Sequence, residues 1–153
     1  MTYKFIDLFA GIGGFHIAFH NLGAECVFAS EWDESARITY EHNFKKISPE
    51  LFKSGNFVGD ITKVDKKSIP DFDILCGGFP CQPFSKSGKQ RGMDEARGTL
   101  FWNIARIIEV RKPKIVLLEN VRNIAGPRHE HEWRSEEHTS ELQSRQYLVC
   151  RLL

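Results

Sequence analysis

The chain has 153 residues, and its 21 basic and 20 acidic side chains give a formal net charge of +1. This length suits one domain with a single sheet, and the balanced charge excludes a uniformly basic protein, so any contact with nucleic acid must come from local clusters of positive charge. No apolar run reaches the roughly 18 residues that a membrane span needs, and the first residues lead into a strand rather than a signal peptide. The sequence therefore predicts a cytoplasmic protein with no membrane contact.

The first predicted elements are a strand, a glycine-rich turn and a helix. An apolar run at residues 4–9 stops at residues 10–14, which hold three glycines, and a largely apolar helix follows and closes at Gly23. This order is typical of a nucleotide-binding βαβ unit, in which glycines let a ligand lie close to the backbone. The third glycine of the dinucleotide fingerprint would fall at His16, which disfavours a pyrophosphate loop. An ordinary glycine-rich turn is the alternative.

The second predicted strand, residues 25–30, delivers Glu31 and Trp32 to the same edge of the sheet as the glycine turn. An acid at the end of this strand can accept hydrogen bonds from both hydroxyls of a ribose, and Trp32 offers a flat face to a purine. Asp33 is interpreted as the N-cap of a helix that runs to Phe44. Residues 45–56 are predicted to form a loop.

A short third strand ends just before a second acid, Asp60. Its carboxylate is placed to receive an exocyclic amine of a base. A helix cap before Thr62 is the alternative, and it is the better interpretation of this motif taken alone.

The fourth predicted strand, residues 72–76, leads to a turn in which Cys81 lies between two prolines. A glycine pair permits a sharp turn, and each proline fixes its own φ and pushes the residue before it into extended geometry, so the thiol is presented rather than buried. Open α/β folds place their chemistry at this carboxyl edge of the sheet. A small apolar residue in a surface loop is the alternative. The four cysteines contain no Cys-x-x-Cys pair, which argues against a metal site.

A basic loop, a helix and a last strand complete the predicted sheet. Residues 86–98 combine four basic side chains with three glycines. We predict that this loop closes over a phosphate-bearing substrate, with a solvated surface loop as the alternative. Residues 100–110 are predicted to be a helix that packs on the sheet. Residues 114–121 are predicted to be a buried parallel strand that carries Glu119 to the edge holding Cys81.

Six blocks of sequence, taken in order, resemble the cytosine-C5 DNA methyltransferases. They are residues 7–15, 31–33, 59–61, 78–85, 97–100 and 119–121. The resemblance implies an α/β, three-layer Rossmann-like fold of the S-adenosylmethionine-dependent methyltransferases. It also implies a parallel sheet of strand order 3-2-1-4-5 that is incomplete at its C-terminal side, so that strand five forms an open edge.

The same resemblance implies a reaction and its site residues. A methyl group would pass from S-adenosylmethionine to carbon 5 of a cytosine flipped out of double-stranded DNA, in a restriction-modification system and by a monomeric enzyme. Cys81 would add to carbon 6, Glu119 would protonate or hydrogen-bond ring nitrogen 3, and Arg97 would help to place the phosphate or the ring. The cofactor pocket would be lined by Phe9, Gly11, Gly13, Phe15, Glu31, Trp32, Asp60, Ile61, Pro80 and Leu100.

The later blocks of the family, including its target-recognition region, have no counterpart in the chain. We therefore expect residues 1–133 to be a partial catalytic and cofactor-binding domain that does not methylate DNA alone. Residues 134–144 back-translate onto a sequencing-library adapter and residues 148–153 resemble its far end, so residues 134–153 are predicted to be a non-native tail, with a short native helix as the alternative. Two other functions stay open: a non-catalytic cofactor-binding remnant, and an NAD-dependent Rossmann oxidoreductase, against which the missing third glycine counts.

Overall fold

The structure, a computed structural model, describes residues 2–79, 100–119 and 147–150. Within these ranges the chain forms strands, helices and one 3-10 turn. Their bounds are β1 (Lys4–Leu8), α1 (Gly14–Asn21), β2 (Glu25–Ser30), α2 (Glu34–Phe44), α3 (Pro49–Lys53), β3 (Phe57–Val58), a 3-10 turn (Ile61–Lys63), β4 (Ile74–Gly78), α4 (Leu100–Arg111), β5 (Ile115–Glu119) and β6 (Tyr147–Cys150).

The strands form one parallel sheet of order β3-β2-β1-β4-β5-β6. The predicted order 3-2-1-4-5 is confirmed. The chain moves outward from β1 to β3 and then crosses to the other side of β1 for β4 and β5. The topological switch point therefore lies between β1 and β4, and open α/β folds bind their ligands at the carboxyl ends of the strands there.

The core has two halves, one on each face of the sheet. On one face, Ile6, Leu8 and Leu75 pack with Ile104 and Ile107 of α4. On the other face, strand residues pack with the first three helices; this group includes Phe5, Cys26, Tyr40, Phe44 and Leu51. Because β1 is covered on both faces, its residues 5–8 are all buried. The three-layer arrangement is confirmed.

Most helix ends follow their sequence signals. Asp33 caps α2, since its Oδ1 accepts a hydrogen bond of 2.8 Å from the Ala36 N–H. Gly23 closes α1 with a φ of 80°, and Pro113 follows α4 closely. The longest helix of the described ranges, α4, has 12 residues, and no helix in those ranges is long and apolar enough to span a bilayer.

The prediction of a loop over residues 45–56 is wrong, because α3 lies within it. Pro49 occupies the first turn of this short helix, where its fixed φ is favourable and its missing N–H costs nothing. Leu51 is 2% exposed and anchors the helix on the core. One turn of helix is unstable alone, so this tertiary contact, which local sequence does not reveal, decides the outcome.

The prediction that strand five forms the open edge is also wrong. The backbone of β6 pairs in parallel with β5, and Tyr147 lies opposite Val116. An unpaired strand offers a row of N–H and C=O groups to any extended segment, whatever the side chains of that segment are. This pairing therefore does not decide the origin of residues 134–153, and their interpretation as a non-native tail stays a prediction.

Candidate functional site

The glycine turn between β1 and α1 has an unusual backbone. Phe9, Gly11 and Gly13 all have positive φ values, of 57°, 55° and 97°. For a bulky residue such as Phe9 this conformation costs about 1–3 kcal/mol and persists only where surrounding contacts enforce it. Here the Ala10 N–H donates to the carbonyl oxygen of Ser30 at 2.9 Å, which ties the turn to the end of β2.

Glu31 holds the glycine turn from the neighbouring strand. Its Oε2 accepts a hydrogen bond of 2.8 Å from the Gly11 N–H, and its Oε1 accepts one of 2.8 Å from the Asp33 N–H. Both oxygens are therefore oriented by main-chain donors, yet each keeps a lone pair for a further donor. The carboxylate is half-buried at the sheet edge, where it can receive a pair of hydroxyl groups.

Trp32 lies beside this carboxylate and projects into solvent. It is 82% exposed, so its ring adds little to the core. Ile12, on the glycine turn, is also well exposed, at 64%. A large, flat, exposed ring beside an oriented carboxylate is suited to binding a planar ligand. Its contact with adenine stays a prediction.

Asp60 caps the 3-10 turn that follows β3. Its Oδ1 accepts hydrogen bonds from the Thr62 hydroxyl at 2.7 Å and from the Thr62 N–H at 2.9 Å. These hydrogen bonds keep the pKa of Asp60 below its ordinary value, so the group stays ionised. Its Oδ2 lies 3.5 Å from Lys63 Nζ. The cap is thus present, while a contact of Asp60 with an exocyclic amine stays a prediction.

Three apolar residues of the predicted pocket pack on the two faces of the sheet. Ile61 is 3% exposed and Leu100 is partly buried, and both belong to the core half that contains α4. Phe15 is partly buried in the other half. Contacts of these three side chains with a cofactor stay predictions.

The structure places one of the three predicted catalytic residues. Gly78, the last residue of β4, lies opposite Glu119, the last residue of β5. A Cβ built at Gly78 would lie 3.0 Å from the Glu119 Oε2, so this carboxylate rests against the chain three residues before Cys81 in the sequence. Cys81, Arg97 and the pocket residue Pro80 lie outside the described residues.

The glycine pair before this segment belongs to β4 rather than to a turn, which corrects the predicted end of the strand. A Cβ at Gly77 would lie 2.9 Å from the carbonyl oxygen of Leu8. Gly77 is therefore required by the close approach of β1 and β4 at the switch point, and a larger residue would push these two strands apart.

The two predicted cofactor glycines have different surroundings. A Cβ at Gly13 would lie 2.0 Å from the Phe44 Cε2, whereas nothing lies within 4 Å of a Cβ at Gly11. Gly13 is thus required by packing against α2. A role for its main chain in cofactor binding stays a prediction.

Gly13→Ala should lower the free energy of unfolding by about 2–5 kcal/mol, because it combines left-handed strain with overpacking against Phe44. Gly11→Ala introduces only the left-handed backbone strain, so it should lower the free energy of unfolding by about 1–2 kcal/mol. Urea unfolding followed by tryptophan fluorescence measures both. Equal losses in the two variants would contradict the packing role of Gly13.

Asp7, in the middle of β1, is a buried acid that sequence reasoning did not single out. The Cys76 Sγ lies 3.9 Å from the Oδ1 of its carboxyl group. Burial raises the pKa of Asp7 to about 8, so the group is largely protonated at neutral pH. The sequence feature that could have identified Asp7 was an acidic residue within an otherwise apolar strand.

This burial predicts a particular dependence of stability on pH. The unfolded Asp7 ionises above pH 3.8, whereas the folded one keeps its proton up to about pH 8, so stability falls as pH rises between these values. His16 acts in the opposite sense, since burial lowers its pKa from 6.5 to about 4 and its contribution is lost as pH falls. Below about pH 6.5 the two groups change stability with pH in opposite directions. Above about pH 6.5 only the effect of Asp7 remains, so stability falls as pH rises.

We therefore expect the wild-type chain to lose about 1.4 kcal/mol of stability per pH unit between about pH 6.5 and 8. Asp7→Asn should remove this slope, because the amide does not titrate. Urea unfolding at pH 5, 6.5 and 8 provides the measurement. A slope that persists in the variant would assign it to another group.

Comparison with known proteins gives consistent matches. A profile of the C-5 cytosine-specific DNA methylases matches residues 3–152. The type II methyltransferase M.HhaI of Haemophilus parahaemolyticus is 57% identical over 80% of this chain and 35% of its own length. M.AluI of Cellulosimicrobium cellulans is 55% identical over 86% of this chain and 25% of its own length. The chain therefore spans about a third or less of these relatives.

Two solved structures share the fold. A putative DNA modification methyltransferase encoded within an E. coli prophage superposes with a TM-score of 0.65 at 23% identity, over 92% of this chain and 38% of its own. The Dnmt2 methyltransferase of S. pombe gives a TM-score of 0.61 at 22% identity, over 88% of this chain and 39% of its own. At these identities the likeness concerns the fold alone.

Proposed function

The chain belongs to the C-5 cytosine-specific DNA methylase family, and from this premise we propose that the whole protein transfers a methyl group from S-adenosylmethionine to carbon 5 of cytosine in DNA. The observation that carries the proposal is the Glu31 carboxylate, held by the Gly11 and Asp33 N–H groups at the carboxyl edge of the sheet. The relatives are type II methyltransferases, which supports a place in a restriction-modification system.

The described residues fit the cofactor. Glu31 would accept hydrogen bonds from the ribose hydroxyls, Trp32 would stack on the adenine, and Asp60 would receive its amino group. The space beside Gly11 is open, so a ligand can approach the turn closely. S-adenosylmethionine supplies an electrophilic methyl group on a sulfonium.

The remaining chemistry is proposed for Cys81, Glu119 and Arg97. The Cys81 thiolate would form a bond to carbon 6 of the cytosine, which makes carbon 5 nucleophilic, and this bond would break again when carbon 5 loses its proton after methylation. Glu119 would protonate or hydrogen-bond ring nitrogen 3 and so relieve the charge that builds on the ring. Arg97 would help to place the ring or its phosphate. The base must leave the duplex to be reached, and the loop at residues 82–98 would close over it.

We also propose that residues 1–133 are the part of the protein that carries the cofactor site, and that the whole protein acts on double-stranded DNA as a cytoplasmic monomer. The description of the matching family, C-5 cytosine-specific DNA methylase, supports the DNA substrate.

Calorimetric titration of the 153-residue chain with S-adenosylmethionine and with NAD tests the proposal. We expect binding of S-adenosylmethionine only, because His16 occupies the position of the third glycine that a pyrophosphate loop needs. A chain ending at residue 133 should bind in the same way. Binding of NAD in preference to S-adenosylmethionine would overturn the proposal in favour of an oxidoreductase.

A further inference from the structure

His16, on α1, is fully buried and is hydrogen-bonded at both ring nitrogens. Its Nδ1 lies 2.6 Å from the Tyr40 Oη, and its Nε2 lies 2.9 Å from the Ser48 Oγ. A neutral imidazole has one donor and one acceptor nitrogen, so the two hydroxyl groups take opposite roles and both nitrogens are satisfied. Burial lowers the pKa of His16 to about 4, which keeps the ring neutral at physiological pH. The ring therefore suits a structural link better than proton transfer.

This ring connects α1 to the elements that follow β2. Tyr40 lies within α2, and Ser48 lies between α2 and α3. The His16 ring also stacks on Phe44, the last residue of α2, with a centroid distance of 4.0 Å and an interplanar angle of 13°. Since two hydrogen bonds and one stacking contact fix its orientation, His16 sets how the C-terminal end of α2 lies against α1.

The C-terminal end of α2 in turn holds the glycine turn. Phe44 fills the space into which a side chain at Gly13 would project. Its neighbour Asn43 donates a hydrogen bond of 3.4 Å from Nδ2 to the carbonyl oxygen of Ile12. A shift of this end of α2 would therefore move the turn, and with it the Gly11 N–H that donates to Glu31.

We propose that His16 is a positioning residue for the cofactor site: the Tyr40–His16–Ser48 hydrogen-bond chain holds α2 against the glycine turn and keeps the Gly11 N–H directed at Glu31. In a dinucleotide-binding unit the corresponding glycine lets helix and strand approach closely. Here a hydrogen-bonded ring takes that place and couples the turn to α2. The consequence for the cofactor rests on the proposed function, whereas the consequence for the turn does not.

Hydrogen exchange of the Gly11 amide in the cofactor-free chain provides the test. We expect His16→Phe, which keeps a stacking ring but removes both hydrogen bonds, to accelerate this exchange by about tenfold. The amide of His16→Gln can still reach Ser48, so the Gly11 exchange rate in this variant should lie between those of His16→Phe and wild type. Ile107→Ala is the matched control, because it removes a fully buried side chain from the opposite face of the sheet.

Three results would overturn the proposal. The first is a Gly11 exchange rate equal to that of wild type in a folded His16→Phe chain. The second is an increase of this rate in Ile107→Ala as large as that in His16→Phe, which would indicate a loss of global stability. If His16→Phe does not fold, Ser48→Ala replaces it, since this variant removes one hydrogen bond at a partly exposed position. We expect the Gly11 amide to exchange about three times faster in Ser48→Ala than in wild type. The third result that would overturn the proposal is an unchanged exchange rate in Ser48→Ala.

Calorimetry with S-adenosylmethionine separates this inference from the proposed function. We expect about tenfold weaker binding by His16→Phe and unchanged binding by Ile107→Ala, both measured well below their unfolding temperatures. A wild-type chain that binds no S-adenosylmethionine would overturn the cofactor site of the proposed function, and the exchange of Gly11 would still decide the positioning role of His16.

Discussion

Replacing Cys81 by serine is expected to lower methyl transfer by a factor of about 10³ or more in a full-length methyltransferase that carries this sequence, while its affinity for S-adenosylmethionine stays close to wild type. A hydroxyl group is far less ionised than a thiol at neutral pH, so addition to carbon 6 stalls while the cofactor pocket is unchanged. Tritiated methyl transfer to DNA and calorimetric titration with the cofactor measure the two effects separately.

Cys76→Ser is the matched control for this variant. Cys76 is fully buried, and its Sγ donates to the carbonyl oxygen of Ile6 at 3.1 Å. Burial raises the pKa of this thiol well above its ordinary value, so it is not a nucleophile, and a serine hydroxyl can make the same hydrogen bond. We expect near-wild-type turnover. Retained turnover in Cys81→Ser would remove Cys81 from the mechanism.

The strands were predictable where burial leaves a continuous apolar run. The predicted bounds of β2 match the structure, and those of β1 and β5 are close to it, because a parallel strand covered on both faces needs apolar residues throughout. At β4 the glycine pair indicated a turn. Gly77 is instead needed because the carbonyl oxygen of Leu8 on the neighbouring strand lies too close for a side chain. Leu8 is far from Gly77 in the sequence, so no local signal reveals this contact.

The candidate site was predictable in its positions more than in its contacts. Glu31 could be placed at the sheet edge because it ends a predicted strand, but its hydrogen bond from Gly11 spans 20 residues. His16 was noted only as an interruption of the glycine pattern. Its partners Tyr40 and Ser48 lie 24 and 32 residues away, so its part in a buried network depends on how α1 and α2 pack.

Glu31 has two functions in the proposed site, and both require its carboxylate. It orients the glycine turn through Gly11, and its remaining lone pairs would accept hydrogen bonds from the ribose hydroxyls of the cofactor. A hydrogen bond to a charged group is worth about 1.5–3 kcal/mol. Removing the side chain should therefore weaken cofactor binding more than any other single change among the described residues.

We expect Glu31→Ala to weaken the binding of S-adenosylmethionine by about 100-fold, because the ribose loses its acceptor and the Gly11 N–H loses its partner. Glu31→Gln keeps one acceptor oxygen and should lose about tenfold. Glu34→Ala is the control, since Glu34 is an exposed acid in the first turn of α2 and should change affinity less than about threefold. Calorimetry measures all three variants, with circular dichroism to confirm that each is folded. An equal loss in Glu34→Ala would mean that net charge near the turn, rather than the oriented carboxylate, governs binding, and wild-type affinity in Glu31→Ala would remove Glu31 from the cofactor site.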